Sequence, residues 1–89
     1  MYAEINKEWY VRSDAYNIVL CRKQIVKEGK TAGEETEISE GYYRTLDMAL
    51  AGYFDKRVKI SDANGWREVA DLIREVRDEI AKIRKEVTP

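Results

Sequence analysis

The residue types that do chemistry at neutral pH are sparse in this chain. There is no histidine among its 89 residues, which removes the commonest general base and metal ligand. The single cysteine, Cys21, lies in the apolar run Ile18-Val19-Leu20-Cys21. No second sulfur or imidazole joins it in a zinc site, and a thiol in an apolar strand has a raised pKa and low reactivity. Carboxylates are plentiful, but towards the C-terminal end they alternate with Arg and Lys at ion-pair spacing, the pattern of a solvated helix face. Glu34, Glu35 and Glu37 offer weak cation binding without the spacing of an EF-hand. Gly29-Lys30-Thr31 lacks the upstream glycine of a phosphate-binding loop and no helix signature follows it, so it reads as a turn. These residues predict no catalytic group, no metal site and no cofactor.

What remains is a set of aromatic and basic residues. Trp9, Tyr10, Tyr16, Tyr42 and Tyr43 fall in strand-type sequence, with Arg12, Arg22, Lys23 and Arg44 interleaved and Lys27 and Lys30 close by. Such a surface can stack bases while it holds phosphates, or it can meet a protein. Arg12, Arg22, Lys23, Lys27, Lys30, Tyr42, Tyr43 and Arg44 are therefore the candidate contact residues. Sixteen basic against seventeen acidic residues leave a net charge of -1, so no overall field draws the chain to nucleic acid or membrane. In so small a domain about half of these aromatics must also form the core.

The elements that carry these residues follow from periodicity. Ile5, Trp9 and Val11 share one parity and Glu4, Glu8 and Arg12 the other, which predicts a strand from Ile5 to Ser13. After the polar Ser13-Asp14-Ala15, a β-branched and aromatic run from Tyr16 to Val26 predicts a second strand, with a bulge or strand end near Arg22 where the parity blurs. Glu28 to Glu35 marks a turn, and a third strand runs from about Thr36 to Arg44. Arg22, Lys23, Lys27 and Lys30 facing Glu34, Glu35, Glu37 and Glu40 suit an antiparallel pairing of the two. Thr45 is placed to cap a helix ending near Ile60, with Asp47 in its first turn and Arg57 and Lys59 near its end.

From Gly65 to Val87 the apolar residues Trp66, Val69, Ile73, Val76, Ile80, Ile83 and Val87 are spaced 3, 4, 3, 4, 3, 4, a heptad pattern. Glu79 and Glu86 at g, with Arg77 and Arg84 at e, suit pairing with a second helix. Asp62 or Asn64 would cap it. Up to Val76 the apolar face is broad enough for a core, and beyond it only a narrow seam remains. Val69, Ile73, Val76, Ile80, Ile83 and Val87 are thus the candidate oligomerisation residues, and a homo-oligomer is expected. The alternative is that the whole helix packs on its own sheet.

The fold class expected is α+β: a three-stranded antiparallel meander followed by two helices, β-β-β-α-α. A single domain spans 1–89, with 1–60 holding the meander and first helix and 61–89 the long helix. Eighty-nine residues lie near the size at which oligomerisation often supplements a single core. One unpaired cysteine fits a reducing cytoplasm. The polar amino terminus and short apolar runs predict neither signal peptide nor membrane span.

Trp9-Tyr10-Val11-Arg12-Ser13-Asp14-Ala15-Tyr16-Asn17-Ile18-Val19-Leu20 and Gly41-Tyr42-Tyr43-Arg44-Thr45-Leu46-Asp47-Met48-Ala49-Leu50 resemble a group of short uncharacterised proteins encoded by phages and prophages of Gram-positive bacteria. The resemblance covers about residues 8 to 60. It implies a small accessory protein in the cytoplasm of an infected or lysogenic cell, acting on a host or phage macromolecule; inhibitors of bacterial defence systems are one class of that size. The function expected is therefore non-enzymatic, by protein contact together with self-association through the last helix. Single-stranded nucleic-acid binding by the basic aromatic hairpin is the alternative.

Overall fold

The computed structural model describes residues 1–25, 29 and 33–87, with residue 87 described by its backbone alone. Four strands, β1 (Tyr2–Glu4), β2 (Trp9–Ser13), β3 (Ile18–Ile25) and β4 (Glu35–Tyr43), precede two helices, α1 (Leu46–Ile60) and α2 (Gly65–Val87). The strands form one antiparallel sheet in the order β1-β2-β3-β4. Two compact units are present, one covering Met1–Ala49 and the other beginning at Leu50.

The α+β class and the two helices agree with the sequence reading, but the sheet has four strands and not three. The predicted first strand began at Ile5, whereas Ile5 to Glu8 is a turn between two strands. Asn6 makes it: its Oδ1 accepts from the backbone N–H groups of Glu8 at 2.8 Å and Trp9 at 2.9 Å. The Ile5 N–H closes the turn onto the Trp9 carbonyl at 2.9 Å. An asparagine that satisfies the backbone two and three residues ahead competes with extended pairing. The matching parity of Ile5, Trp9 and Val11 concealed this reversal. The next turn works in the same way, with Asp14 Oδ1 accepting from Tyr16 N–H at 2.8 Å and Asn17 N–H at 2.7 Å.

The register defines two faces. Trp9, Val11, Leu20 and Arg22 share the inner one; Trp9 is 2% exposed, and Val11 and Leu20 are fully buried. Tyr2, Glu4, Tyr10, Arg12, Val19, Cys21, Lys23, Glu37 and Tyr42 share the outer one. The β3–β4 pairing is irregular between Leu20 and Cys21, where Leu20 faces Gly41 and Cys21 faces Ser39. The expected bulge near Arg22 thus falls one to two residues earlier, and its extra residue, Glu40, belongs to β4. Glu40 meets Arg22 Nη2 at 3.4 Å, while the Arg22 guanidinium lies over the Trp9 ring, 5.5 Å from its centroid.

Thr45 caps α1, its Oγ1 accepting from Met48 N–H at 3.1 Å. At the start of α2, Gly65 has φ +84°, a backbone conformation that favours glycine. Glu68 reaches back to accept from Asn64 N–H at 2.8 Å.

Candidate functional site

The outer face of the sheet gathers most of the polar and aromatic residues that could contact a partner. Arg12 on β2 makes a two-pronged bond to Glu37 on β4, Nε to Oε1 at 3.1 Å and Nη2 to Oε2 at 3.2 Å. The two strands are not neighbours, so this bridge crosses over β3. Beneath it lie Val19 and Cys21, both fully buried although they belong to the outer face. The Tyr10 hydroxyl also donates to Glu37 Oε1.

The bridge sets the acid-base character of the face. Arg12, then the Tyr10 hydroxyl, hold the Glu37 carboxyl down at about 2. Burial, reinforced by the neighbouring Glu37 carboxylate, pushes the Tyr10 phenol well above its ordinary range. Burial likewise raises the Cys21 thiol. None of these three is poised to exchange protons near neutral pH, which is what a general acid or base requires. Among the described residues no group of three or more Cys, Asp or Glu could hold a metal ion.

The same face is aromatic at both margins. Tyr2, Arg12, Val19 and Tyr42 form one row across the four strands. Tyr2 is 56% and Tyr42 62% exposed, about 14 Å apart at the backbone if three strand spacings separate them. Tyr2 packs on Tyr10 with ring centroids 5.1 Å apart, and Lys23 sits over the Tyr10 ring while meeting Glu4 at 3.4 Å. Tyr2, Tyr10, Lys23, Glu35, Thr36 and Glu37 line a shallow cleft of about 220 Å³.

The candidate contact residues are therefore divided. Arg12, Lys23 and Tyr42 share the outer face, whereas Arg22 and Tyr43 lie on the inner one. Arg44 is exposed just beyond β4. Lys27 and Lys30 lie outside the described residues. Arg12, Arg22 and Lys23 each meet a carboxylate. Among the described residues Arg22–Glu40 is the one ion pair of the expected kind between the basic strand and the acidic one; Lys23 stands opposite Glu37 in the register, but Arg12 takes Glu37 and Lys23 takes Glu4. Sequence reasoning missed Tyr2 and Glu4, which belong to the unrecognised strand; the Tyr-x-Glu alternation was their only signal.

The candidate oligomerisation residues all lie on α2. Val76 is fully buried and Ile83 is 2% exposed, while Val69, Ile73 and Ile80 are half-buried; the Val87 side chain is outside the description. Glu79, at g of the heptad, accepts from the Tyr53 hydroxyl at 2.6 Å and from Arg57 Nη1 at 2.9 Å, both on α1. Arg57 also meets Glu75 at 3.5 Å. Sequence reasoning missed this cluster as well; the i, i+4 spacing of Tyr53 and Arg57 opposite Glu75 and Glu79 was the available signal.

No described helix is long and apolar enough to cross a membrane.

The chain is similar to two phage proteins. It is 39% identical over 49 residues to an "Uncharacterized 10.4 kDa protein in GpA 5′ region" of Escherichia phage 186, a match covering 55% of this chain and 54% of that protein. It is 27% identical over 66 residues to an "Uncharacterized 10.2 kDa protein in GpA 5′ region" of Escherichia phage P2, covering 74% of this chain and 72% of that one. The chain thus spans about half the length of the phage 186 relative. No family model matches the chain, and no solved structure does. The resemblance to small uncharacterised phage proteins holds, but these relatives belong to Escherichia phages, so the Gram-positive setting is not supported.

Proposed function

We propose that the protein is a small, non-enzymatic phage accessory protein that acts in the host cytoplasm by contacting another protein through the outer face of its sheet. The observation that carries this reading is the combination of exposed Tyr2 and Tyr42 with cations already bonded to carboxylates. Tyrosine is enriched in protein interfaces because a rigid, amphipathic ring brings contact area at low entropic cost. Charges paired within the chain leave little net attraction for a polyanion. A host or phage protein is the partner class, and a component of a host defence system is one such partner.

Site-specific photocrosslinking tests this. A photoreactive phenylalanine analogue at Tyr42 should give a discrete adduct in host lysate, weakened by Tyr2→Ala, whereas the same probe at the exposed Asp71 of α2 should not. No adduct from position 42, or equal adducts from both, would count against the reading.

Single-stranded nucleic acid is the second reading, since the same tyrosines could stack bases beside Arg44. It requires oligonucleotide affinity that falls steeply with salt. Salt-insensitive or absent binding eliminates it.

A further inference from the structure

We infer that a second copy of this chain docks in an open groove between α1 and α2, on a surface separate from the sheet face that takes in Ile73 and Ile80 of the heptad but not its buried line. The inner line of that seam is occupied: Val76 and Ile83 are buried, and Glu79 is held by Tyr53 and Arg57. What stays open is the neighbouring stripe of α2. A groove of about 480 Å³ is walled by Ala51, Phe54 and Asp55 of α1 and by Arg77, Ile80 and Ala81 of α2. A second hollow on α2, lined by Ala70 and Ile73, shares Arg77 with it. One turn beyond Phe54 on α1, Val58 is 37% exposed.

The charge pattern selects the occupant. One acid, Asp55, stands on the α1 wall, and two bases, Arg77 and Arg84, stand on the α2 wall. Neither Asp55 nor Arg77 makes an ion pair among the described residues. A two-fold axis through the groove sets α1 of one copy against α2 of the other, so that each Asp55 meets the other copy's Arg77, twice per dimer. Such self-complementarity is what an isologous interface needs. Ala51 and Ala81 in the walls let the helix backbones approach closely, and the four helices then enclose Phe54 and Ile80 in one shared core. An acidic or a basic foreign helix would satisfy only one wall.

Charge exchange tests the proposal, with mass read by sedimentation equilibrium and folding by circular dichroism. The native chain should be a dimer. Asp55→Arg and Arg77→Asp should each be folded and monomeric, should form a dimer when mixed one to one, and should dimerise as the double variant. Ile80→Asp should also be monomeric. A native monomer at tens of micromolar overturns the proposal. So do single exchanges that stay fully dimeric, or a double variant no more associated than either single one.

Discussion

The Tyr53 hydroxyl donates to Glu79 Oε1 at 2.6 Å, so a residue that the heptad assigns to an intermolecular edge is satisfied by α1 of the same chain. Arg57 Nη1 completes the cluster by donating to the same Tyr53 oxygen and to Glu79. Tyr53 is fully buried, and the side chains of Arg57 and Glu79 are only 16% and 17% exposed.

Removing different members of this cluster should cost different amounts. Tyr53→Phe deletes the bond given to Glu79 and the one taken from Arg57 but leaves the Arg57–Glu79 pair, so about 1 kcal/mol of stability should be lost. Glu79→Ala removes the carboxylate that the buried Tyr53 hydroxyl and Arg57 share, leaving Arg57 with Tyr53 and the more exposed Glu75, and should cost roughly 1 to 3 kcal/mol. Urea denaturation would order the two; an equal or reversed cost would contradict the geometry.

Along α2, neighbouring isoleucines should behave differently. Ile83, 2% exposed, should lose about 2 to 5 kcal/mol on truncation to Ala, because a cavity adds to the lost transfer energy. The half-buried Ile80→Ala should cost less in a monomeric background such as Arg77→Asp. Denaturation midpoints in that background keep folding apart from assembly.

Acid should loosen the sheet through Glu37. Its carboxyl lies at about 2 in the folded chain against an ordinary 4.5. A carboxylate with the lower value in the folded state contributes stability that is present above the unfolded value and lost as pH falls from 4.5 through about 2. Glu37→Gln should flatten the fall in urea midpoint across that window. The exposed side chain keeps the effect small, and a remaining slope is expected from Asp14, whose carboxyl is lowered by the Tyr16 and Asn17 N–H groups.

Cys21 should be chemically quiet. It is fully buried beneath the Arg12–Glu37 bridge, and its thiol is raised by that burial. A thiol reagent should modify the folded protein slowly and the urea-unfolded protein fast. Cys21→Ala should cost about 1 kcal/mol, and Arg12→Ala, by opening the roof, should speed modification of the folded protein. Rapid reaction of the native thiol would show that the roof is not closed.

Gly41 should resist even a methyl group. A Cβ there would stand 2.7 Å from Tyr43 Cε2 and 2.6 Å from its Oη, so Gly41→Ala must displace the ring and should cost roughly 1 to 3 kcal/mol. In a Tyr43→Ala background the same change should be nearly neutral, a coupling that a double-mutant cycle reads directly.

Much of this architecture was legible because it rests on local chemistry. Thr45 announced α1, the apolar spacing announced α2, and the β-branched residues from Ile18 to Cys21 announced β3. The missing strand was illegible because Asn6 reverses the chain through its own side chain, while the parity on either side happens to agree. The outer face was only partly legible: its aromatic and basic members stood out, but Lys23 stands directly opposite Glu37, and Glu37 takes Arg12 because that longer side chain reaches across β3 while Glu4 of the unrecognised strand takes Lys23. The heptad pattern is the same whichever helix lies against it, and Tyr53 and Arg57, contributed by α1, bond Glu79 within its own chain.

The irregular pairing at Glu40 also governs where the chain can change length. Cys21 faces Ser39 and Leu20 faces Gly41, so Glu40 is the residue that resets the phase of β4. It lets Glu37 and Tyr42, an odd and an even position, point to the same side. Deleting Glu40 alone would leave the pairings on both flanks in step and remove only the partner of Arg22. Deleting Ile38 would instead carry Glu35 to Glu37 to opposite sides and strand Glu37 away from Arg12. β4 thus contains one joint at which a residue can be dropped without rewriting the rest, and an insertion or deletion elsewhere in the strand would trade the outer surface for the inner one.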